Sequence, residues 1–316
     1  MTDDQLPART LRPAEPRDLA AVADLLALAG ASDNRRETLE RLTDTASGSL
    51  RYAWVAERAG RIVGAAKLTS HLLFPGTLSA MVAVAEPERR AGTGGALAAL
   101  IEQRLATVEG YGTVTCSLRD DSADGRRFAE ARGFTAHHHS KGWRLPLAAL
   151  GDGLPRLAAR AADDSGVRIR LVTDSRAEAA TIMECVGRTM ESLPIPAQEG
   201  QEVDMSRAGE LIGDDAVTLL AETVEGTAAR VRGLTMVTPE RDGRWSTVYT
   251  GVEPDYRRRG VARAVKLAAF AYLAERGASE VVTHNDSGNA GILGLNASFA
   301  MEPGVGYWTL SRRIDG

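Results

Sequence analysis

At 316 residues, 44% hydrophobic and 25% charged, the chain is long enough for two domains of ordinary size, each with its own core. A formal net charge of −4 offers no global attraction to nucleic acid or a membrane surface, and no apolar run reaches the roughly 18 to 20 residues of a membrane helix. With only Cys116 and Cys185, and a start, "MTDDQLPARTLRP", that lacks the basic-then-apolar pattern of a signal peptide, a cytoplasmic protein without disulfides is expected.

In chain order, "TLRPAEPRDLAAVADLLALAG" reads as a strand leading into an amphipathic helix. "YAWVAER" and "GRIVGAAKLTS" are β-prone runs joined at a Gly-containing turn, which predicts a hairpin, and a further strand follows. The segment "AVAEPERRAGTGGALAALIEQRL", from Ala83 to Leu105, then passes through an arginine-glycine turn into a helix. A short strand, "GTVTCSL", a second helical stretch and a terminal β segment complete the first half. Cys116 lies on that short strand as a packing residue would. His137, His138 and His139 are adjacent on a β segment; such side chains alternate faces and do not converge on one ion, so no metal is expected.

"GDGLPRLAARAADDSG", from Gly151 to Gly166, shifts to Gly, Pro, Ala and charge, the composition of a surface linker or short connecting helix. It sets the expected boundaries: an N-terminal domain at 1–150, a linker at 151–166 and a C-terminal domain at 167–316.

The second half repeats the first. "VRIRLVTDSRAEAATIMECVG", the hairpin runs "AVTLLAETVEG" and "AARVRGLTMVTPE", the turn segment "TGVEPDYRRRGVARAVKLAAFAYL" from Thr250 to Leu273, "SEVVTHN" and "GYWTLSRR" follow in the same sequence. Each half therefore predicts the order β, α, α, β, β, β, α, β, α, β. The two turn glycines, Gly92 and Gly260, are about 170 residues apart, one domain length, so two copies of one domain is the economical reading.

The chemistry of the repeated segment is that of an anion cradle. A strand ends at a Glu-Pro step and must turn into a helix whose first N–H groups lack internal partners. Gly92 and Gly260 permit close backbone approach, Gly94 and Ala262 keep side chains out of the way, and the helix N-terminus with nearby arginines favours a pyrophosphate. A dinucleotide-binding fold also uses such glycines, but after its first strand; here they come late in each half.

The patterns Arg89-x-x-Gly92-x-Gly94 and Arg257-x-x-Gly260-x-Ala262 resemble the acetyl-CoA-binding signature of the GNAT acyltransferase superfamily. The resemblance covers nearly the whole chain. It implies an α/β fold of two tandem GNAT domains, each a central mixed sheet flanked by helices, in a mycothiol synthase-like arrangement. It also implies acetyl-CoA as co-substrate, with the pyrophosphate at Arg89, Arg90, Ala91, Gly92, Thr93, Gly94 and Gly95 in the first copy. In the second the corresponding residues are Arg257, Arg258, Arg259, Gly260, Val261 and Ala262. A splayed strand would offer its main chain to the pantetheine arm at Met81, Val82 and Val84, and at Thr250, Gly251 and Val252. The segment "THNDSGNAGILGLNASFAM" follows the family's asparagine pattern, with Asn289 on the CoA arm and Asn285 shaping the loop.

That second match makes the C-terminal copy the expected active half. Acyl transfer needs a neutral amine, a polarised thioester carbonyl and a proton donor for the thiolate. By resemblance the amide of Val252 or a neighbour would polarise the carbonyl. A tyrosine acid expected before the end of the last helix is replaced by Ala129 and Asn296, and neither strand before the turn carries a glutamate. Glu222, His284, Tyr249 and Tyr307 remain as candidates, His284 having the pKa range best suited to neutral pH; otherwise proximity must serve.

The expected reaction is acetylation of a primary amine on a small molecule. The alternatives are a non-catalytic acyl-CoA-binding or regulatory protein and a protein or peptide amine acetyltransferase. Glu199, Glu202 and Asp204 lie where the family builds its acceptor pocket and could attract a cationic amine. The expected state is a monomer, itself a pseudo-dimer of two domains, or else a homodimer.

Overall fold

The computed structural model describes residues 9–30, 35–43, 49–175, 177–190, 204, 215–226 and 228–314. The first half runs β1 (Thr10–Pro13), α1 (Leu19–Ala29), α2 (Arg35–Thr43), β2 (Arg51–Arg58), β3 (Arg61–Ser70), β4 (Thr77–Val84), α3 (Thr93–Leu105), β5 (Thr113–Arg119), α4 (Ala123–Glu130) and β6 (Thr135–Pro146). After α5 (Leu154–Ser165) the second half runs β7 (Arg168–Leu171), α6 (Ala179–Met190), β8 (Val217–Glu225), β9 (Ala228–Pro239), β10 (Arg244–Val252), α7 (Val261–Ala274), β11 (Glu280–Asp286), α8 (Ala290–Ser298) and β12 (Glu302–Arg313). The first half has the predicted order. The second does too, except that the place of its second helix falls outside the described residues.

Two compact units emerge: Met1–His139 with Pro196–Asp204 and Val305–Gly316, and Ser140–Ile195 with Met205–Gly304. They do not coincide with the halves of the repeat, because the closing strands are exchanged. In the first unit the sheet order is β1-β2-β3-β4-β5-β12, and β12 from the far end of the chain pairs antiparallel with β5, Tyr307 opposite Arg119 through Arg313 opposite Thr113. In the second unit β6 fills the same place against β11, Leu145 opposite Val281 and Trp143 opposite Thr283, and the order is β6-β11-β10-β9-β8-β7. Both sheets are mixed, with one parallel pairing each, β4 with β5 and β10 with β11.

Local chemistry explains the elements. The β2–β3 hairpin turns on Ala59 and Gly60, both at positive φ (48° and 72°), the conformation whose twist matches paired strands. In the first unit Leu97, Ile101 and Leu105 of α3 pack with Ala66, Leu68, Leu78 and Val114 of the sheet, while Val22 and Leu26 of α1 pack with Val55, Ala65 and Ala83 on the other face. In the second unit α7 contributes Val261, Ala264, Val265, Phe270 and Leu273 to a core shared with Leu154, Ala158 and Ala162 of α5. The segment expected as a linker or short helix is thus a packed helix. Ile182, Cys185 and Val186 of α6 cover Leu220, Leu234 and Met236 on the opposite face. Among the described residues no helix is long and apolar enough to cross a membrane.

Candidate acyl-CoA site

Both units open their sheets in the same place. Parallel pairing of β4 with β5 runs from Thr77 opposite Thr113 to Ser79 opposite Thr115 and stops there. Pairing of β10 with β11 likewise stops at Thr247 opposite Thr283, where β10 shifts register against β9 before Tyr249. The strand ends, Ala80 to Val84 and Val248 to Val252, diverge from their parallel neighbours. A diverging edge presents main-chain donors and acceptors that a ligand can pair with.

The turn that follows is the same in both copies. A 3-10 turn at Glu86–Glu88 or Pro254–Tyr256 leads to Arg89 (φ −70°, ψ 159°) or Arg257 (φ −69°, ψ 157°). Arg90 and Arg258 have φ of 65° and 57°, and Gly92 and Gly260 cap α3 and α7 in the left-handed region at φ 78° and 86°. The Nε of Arg89 donates to the Val84 carbonyl at 3.1 Å, and that of Arg257 to the Val252 carbonyl at 2.9 Å. This arginine therefore clips the turn to the strand. Arg90 pairs with Asp124, which also takes Arg127, and Arg259 lies 5.1 Å over the Tyr256 ring. Thr93 is buried and its hydroxyl accepts from Arg9 at 2.9 Å, with Arg9 also donating to the Ala91 carbonyl.

The first unit holds a cavity of about 1030 Å³ at this opening. Val82 and Val84 of β4, then Arg89, Arg90, Gly92, Gly94 and Gly95 of the turn and α3, line one end. Ala98 of α3, Cys116 and Ser117 of β5, Phe128 and Ala129 of α4, Arg132 just after that helix, and Leu25, Leu28 and Ala29 of α1 with Met81 line the rest. Burial pushes the Cys116 thiol up to about 12, so at neutral pH it is a protonated wall residue. The α1 and α4 contributions were missed at the level of motifs, because alanine, leucine and phenylalanine at helical spacing read as ordinary core.

The candidates of the second copy have other partners. Glu222 is buried, accepting from Arg168 at 2.9 Å and from Arg170 at 2.8 Å. The Tyr249 hydroxyl shares a hydrogen bond with Thr189 of α6 at 2.6 Å; burial pushes this phenol up to about 12, against the Thr189 bond. A side chain at Gly251 would lie 2.5 Å from Thr189 Oγ1 and 2.7 Å from the Tyr249 ring, so this glycine makes room for the tyrosine. Thr250 shares a bond with Thr235 at 2.8 Å, while Val252 and Val261 are buried in the α7 core beside Ala262. His284 stands on β11 opposite Gly142, and Tyr307 on β12 opposite Arg119. Asn285 Oδ1 accepts from Asn296 Nδ2 at 2.7 Å.

Asn289 caps α8, its Oδ1 accepting from the Ile292 N–H at 3.2 Å, the place Ser122 takes for α4. Asn289→Ala should therefore cost about 1 kcal/mol in a urea melt. Of the acidic acceptor-loop residues, Glu199 and Glu202 lie outside the described residues, and the Asp204 N–H donates to the Leu73 carbonyl at 2.8 Å. His139, from the histidine run, meets Asp120 at 3.1 Å and stacks on Trp308 at 4.2 Å.

Comparison with known proteins agrees with this geometry. Residues 19–134 match the model of the acetyltransferase (GNAT) family. A tandem GNAT protein from the clavulanic acid biosynthesis pathway superposes with a TM-score of 0.72 at 20% identity, covering 98% of this chain and 99% of that one. A GCN5-related N-acetyltransferase from Sphaerobacter thermophilus gives 0.65 at 20% identity, covering 99% and 98%. A glucosamine N-acetyltransferase region of a fungal multi-domain β-N-acetylglucosaminidase gives 0.68 at 13%, covering 97% of this chain and 38% of that one. No curated protein sequence matches. Residues 19–134 thus match the acetyltransferase (GNAT) family model, and the chain as a whole has the fold of tandem GNAT proteins.

Proposed function

We propose that the protein transfers an acetyl group from acetyl-CoA to the primary amine of a small molecule, and that the N-terminal unit holds the acetyl-CoA. The observation that carries this reading is the cavity of about 1030 Å³ joining the Gly92 turn to the diverging edge of β4. On this reading the transfer belongs to the first copy, whereas the sequence motifs favour the second.

The pyrophosphate suits the N-terminal N–H groups of α3, whose Thr93, Gly94 and Gly95 precede the first internal helix bond, with Arg90 supplying a charge-assisted contact. The pantetheine amides suit the β4 edge beyond Ser79, which leaves the thioester near Met81, where a main-chain N–H can polarise its carbonyl. The amine then attacks the carbonyl carbon directly. The C–N bond forms as the C–S bond breaks, the amine loses a proton to water, and CoA leaves as the thiolate. An acyl-cysteine route through Cys116 is disfavoured by a thiol held near 12. Orientation of amine and thioester within one cleft supplies most of the acceleration.

The acceptor end is walled by Leu25, Leu28, Ala29 and Met81, which favours an amine on an apolar body. The test follows CoA thiol release from acetyl-CoA across a panel of amines. CoA binding without thiol release throughout the panel would favour the non-catalytic reading instead. At Gly94 a Cβ would meet Phe128 at 3.6 Å and Val84 at 3.7 Å, ordinary contact distances, so alanine should be tolerated. Gly94→Leu should weaken acetyl-CoA binding by about 10- to 100-fold, since its further carbons overfill the same gap.

A further inference from the structure

We propose that the C-terminal unit does not take acyl-CoA, because its own side chains, Lys266 and Asn296 foremost, fill the space that the N-terminal unit keeps open for the pantetheine arm. This rests on the reading of the N-terminal cavity as the acyl-CoA site and adds that each chain holds one CoA.

Position by position, the two copies differ where the first cavity has its walls. Counted from the turn glycine, Ala98 on α3 corresponds to Lys266 on α7, and Gly95 to Arg263. Counted from the helix caps Ser122 and Asn289, Ala129 on α4 corresponds to Asn296 on α8. Gly95, Ala98 and Ala129 all line the first cavity, and each replacement is larger and polar.

Those replacements are turned inward or across the gap. Lys266 is 1% exposed, forms no ion pair among the described residues, and lies with its Nζ 5.7 Å from the Phe270 ring. Phe270 meets Phe299 edge-on at 5.4 Å, and Arg263 reaches across to Ser298 at 3.0 Å and lies over the Phe299 ring at 5.1 Å. Asn296 is fully buried and ties α8 to Asn285 of β11, while its Oδ1 has no partner among the described residues. Arg263 and Phe270 of α7 thus meet Ser298 and Phe299 at the end of α8.

The other face and the turn are covered as well. Tyr249 stands where the first copy has Met81, and its hydroxyl is bonded to Thr189 of α6. A Cβ placed on Gly260 would find the Ser165 Cβ of α5 at 3.5 Å, whereas one on Gly92 would meet nothing within 4 Å. Interiors packed to crystal-like density do not admit an added chain of atoms without expelling side chains. The arginine turn of the second copy is preserved in conformation without the slot it would serve.

Calorimetric titration of the full chain with CoA tests this. Wild-type protein should bind one CoA per chain. Ala98→Lys, which transfers the closing side chain to the first unit, should weaken that binding by about 100-fold or more, with circular dichroism confirming the fold. The double variant Lys266→Ala/Asn296→Ala should keep the first site's affinity and gain a second, weaker equivalent of CoA. Two CoA per wild-type chain would overturn the closure while leaving the transferase reading intact. So would a single site indifferent to Ala98→Lys and abolished by Arg257→Ala, or a double variant that stays at one equivalent. No CoA binding at all would sink the underlying reading instead.

Discussion

Replacing Lys266 with methionine should stabilise the protein by about 3 kcal/mol at pH 7. Complete burial lowers the lysine from 10.5 to about 8, since an ammonium loses more hydration energy than a neutral amine does. At pH 7 the group is protonated in both folded and unfolded chains, so the fold bears the whole cost. Between about 8 and 10.5 the unfolded chain still binds the proton and the folded chain does not, so the cost shrinks as pH rises. Above 10.5 it is gone. Methionine keeps the unbranched length and fills the same space. Urea midpoints of the two proteins should therefore differ most at pH 7 and below and converge towards pH 10.5, while CoA stoichiometry stays at one. A difference that did not change with pH would mean that packing rather than charge distinguishes the two side chains.

The order of elements and the paired arginine-glycine turns were legible because they rest on local chemistry. Alternation marked the hairpins, and the turn glycines announced left-handed conformations that both positions adopt. The exchange of β6 and β12 was not legible. Each copy ends in a strand that pairs antiparallel with its neighbour, and nothing in "TAHHHSKGWRLP" or "EPGVGYWTLSRR" states which copy of β5 or β11 it should join. Register within a pair is encoded by side-chain alternation, but partner choice between near-equal copies depends on the course of the connecting chain. The α5 segment was similarly ambiguous: its alanines suit a linker helix, and its burial against α7 depends on the facing residues.

The half proposed for acetyl-CoA rests on a different kind of signal. Asn285 and Asn289 matched a family pattern, yet in the fold one accepts from Asn296 and the other caps α8. A cavity is defined by atoms that are missing, and Gly95, Ala98 and Ala129 carry no motif. The signal lay in comparing the copies wall by wall, where Ala98 stands against Lys266 and Ala129 against Asn296.

Glu222→Ala should destabilise the chain by about 2 to 4 kcal/mol and leave turnover per folded molecule within about twofold. Glu222 stands opposite Arg168 across the β7–β8 pair, and its carboxylate, 4% exposed, takes a guanidinium on each oxygen. Arg170 in turn holds Glu178 at 2.6 Å. Removing the carboxylate leaves Arg168 without this partner and Arg170 with Glu178 alone, but Arg168 is 63% exposed and Arg170 35%, so both recover water and the loss stays below that of a fully enclosed pair. Glu222→Gln keeps the shape and one acceptor, and should lose roughly half as much. The catalytic alternative predicts a different pattern: a base at Glu222 would make glutamine as damaging to turnover as alanine, with little change in stability. Urea midpoints and thiol-release rates on the same three proteins, measured well below Tm, separate the two roles.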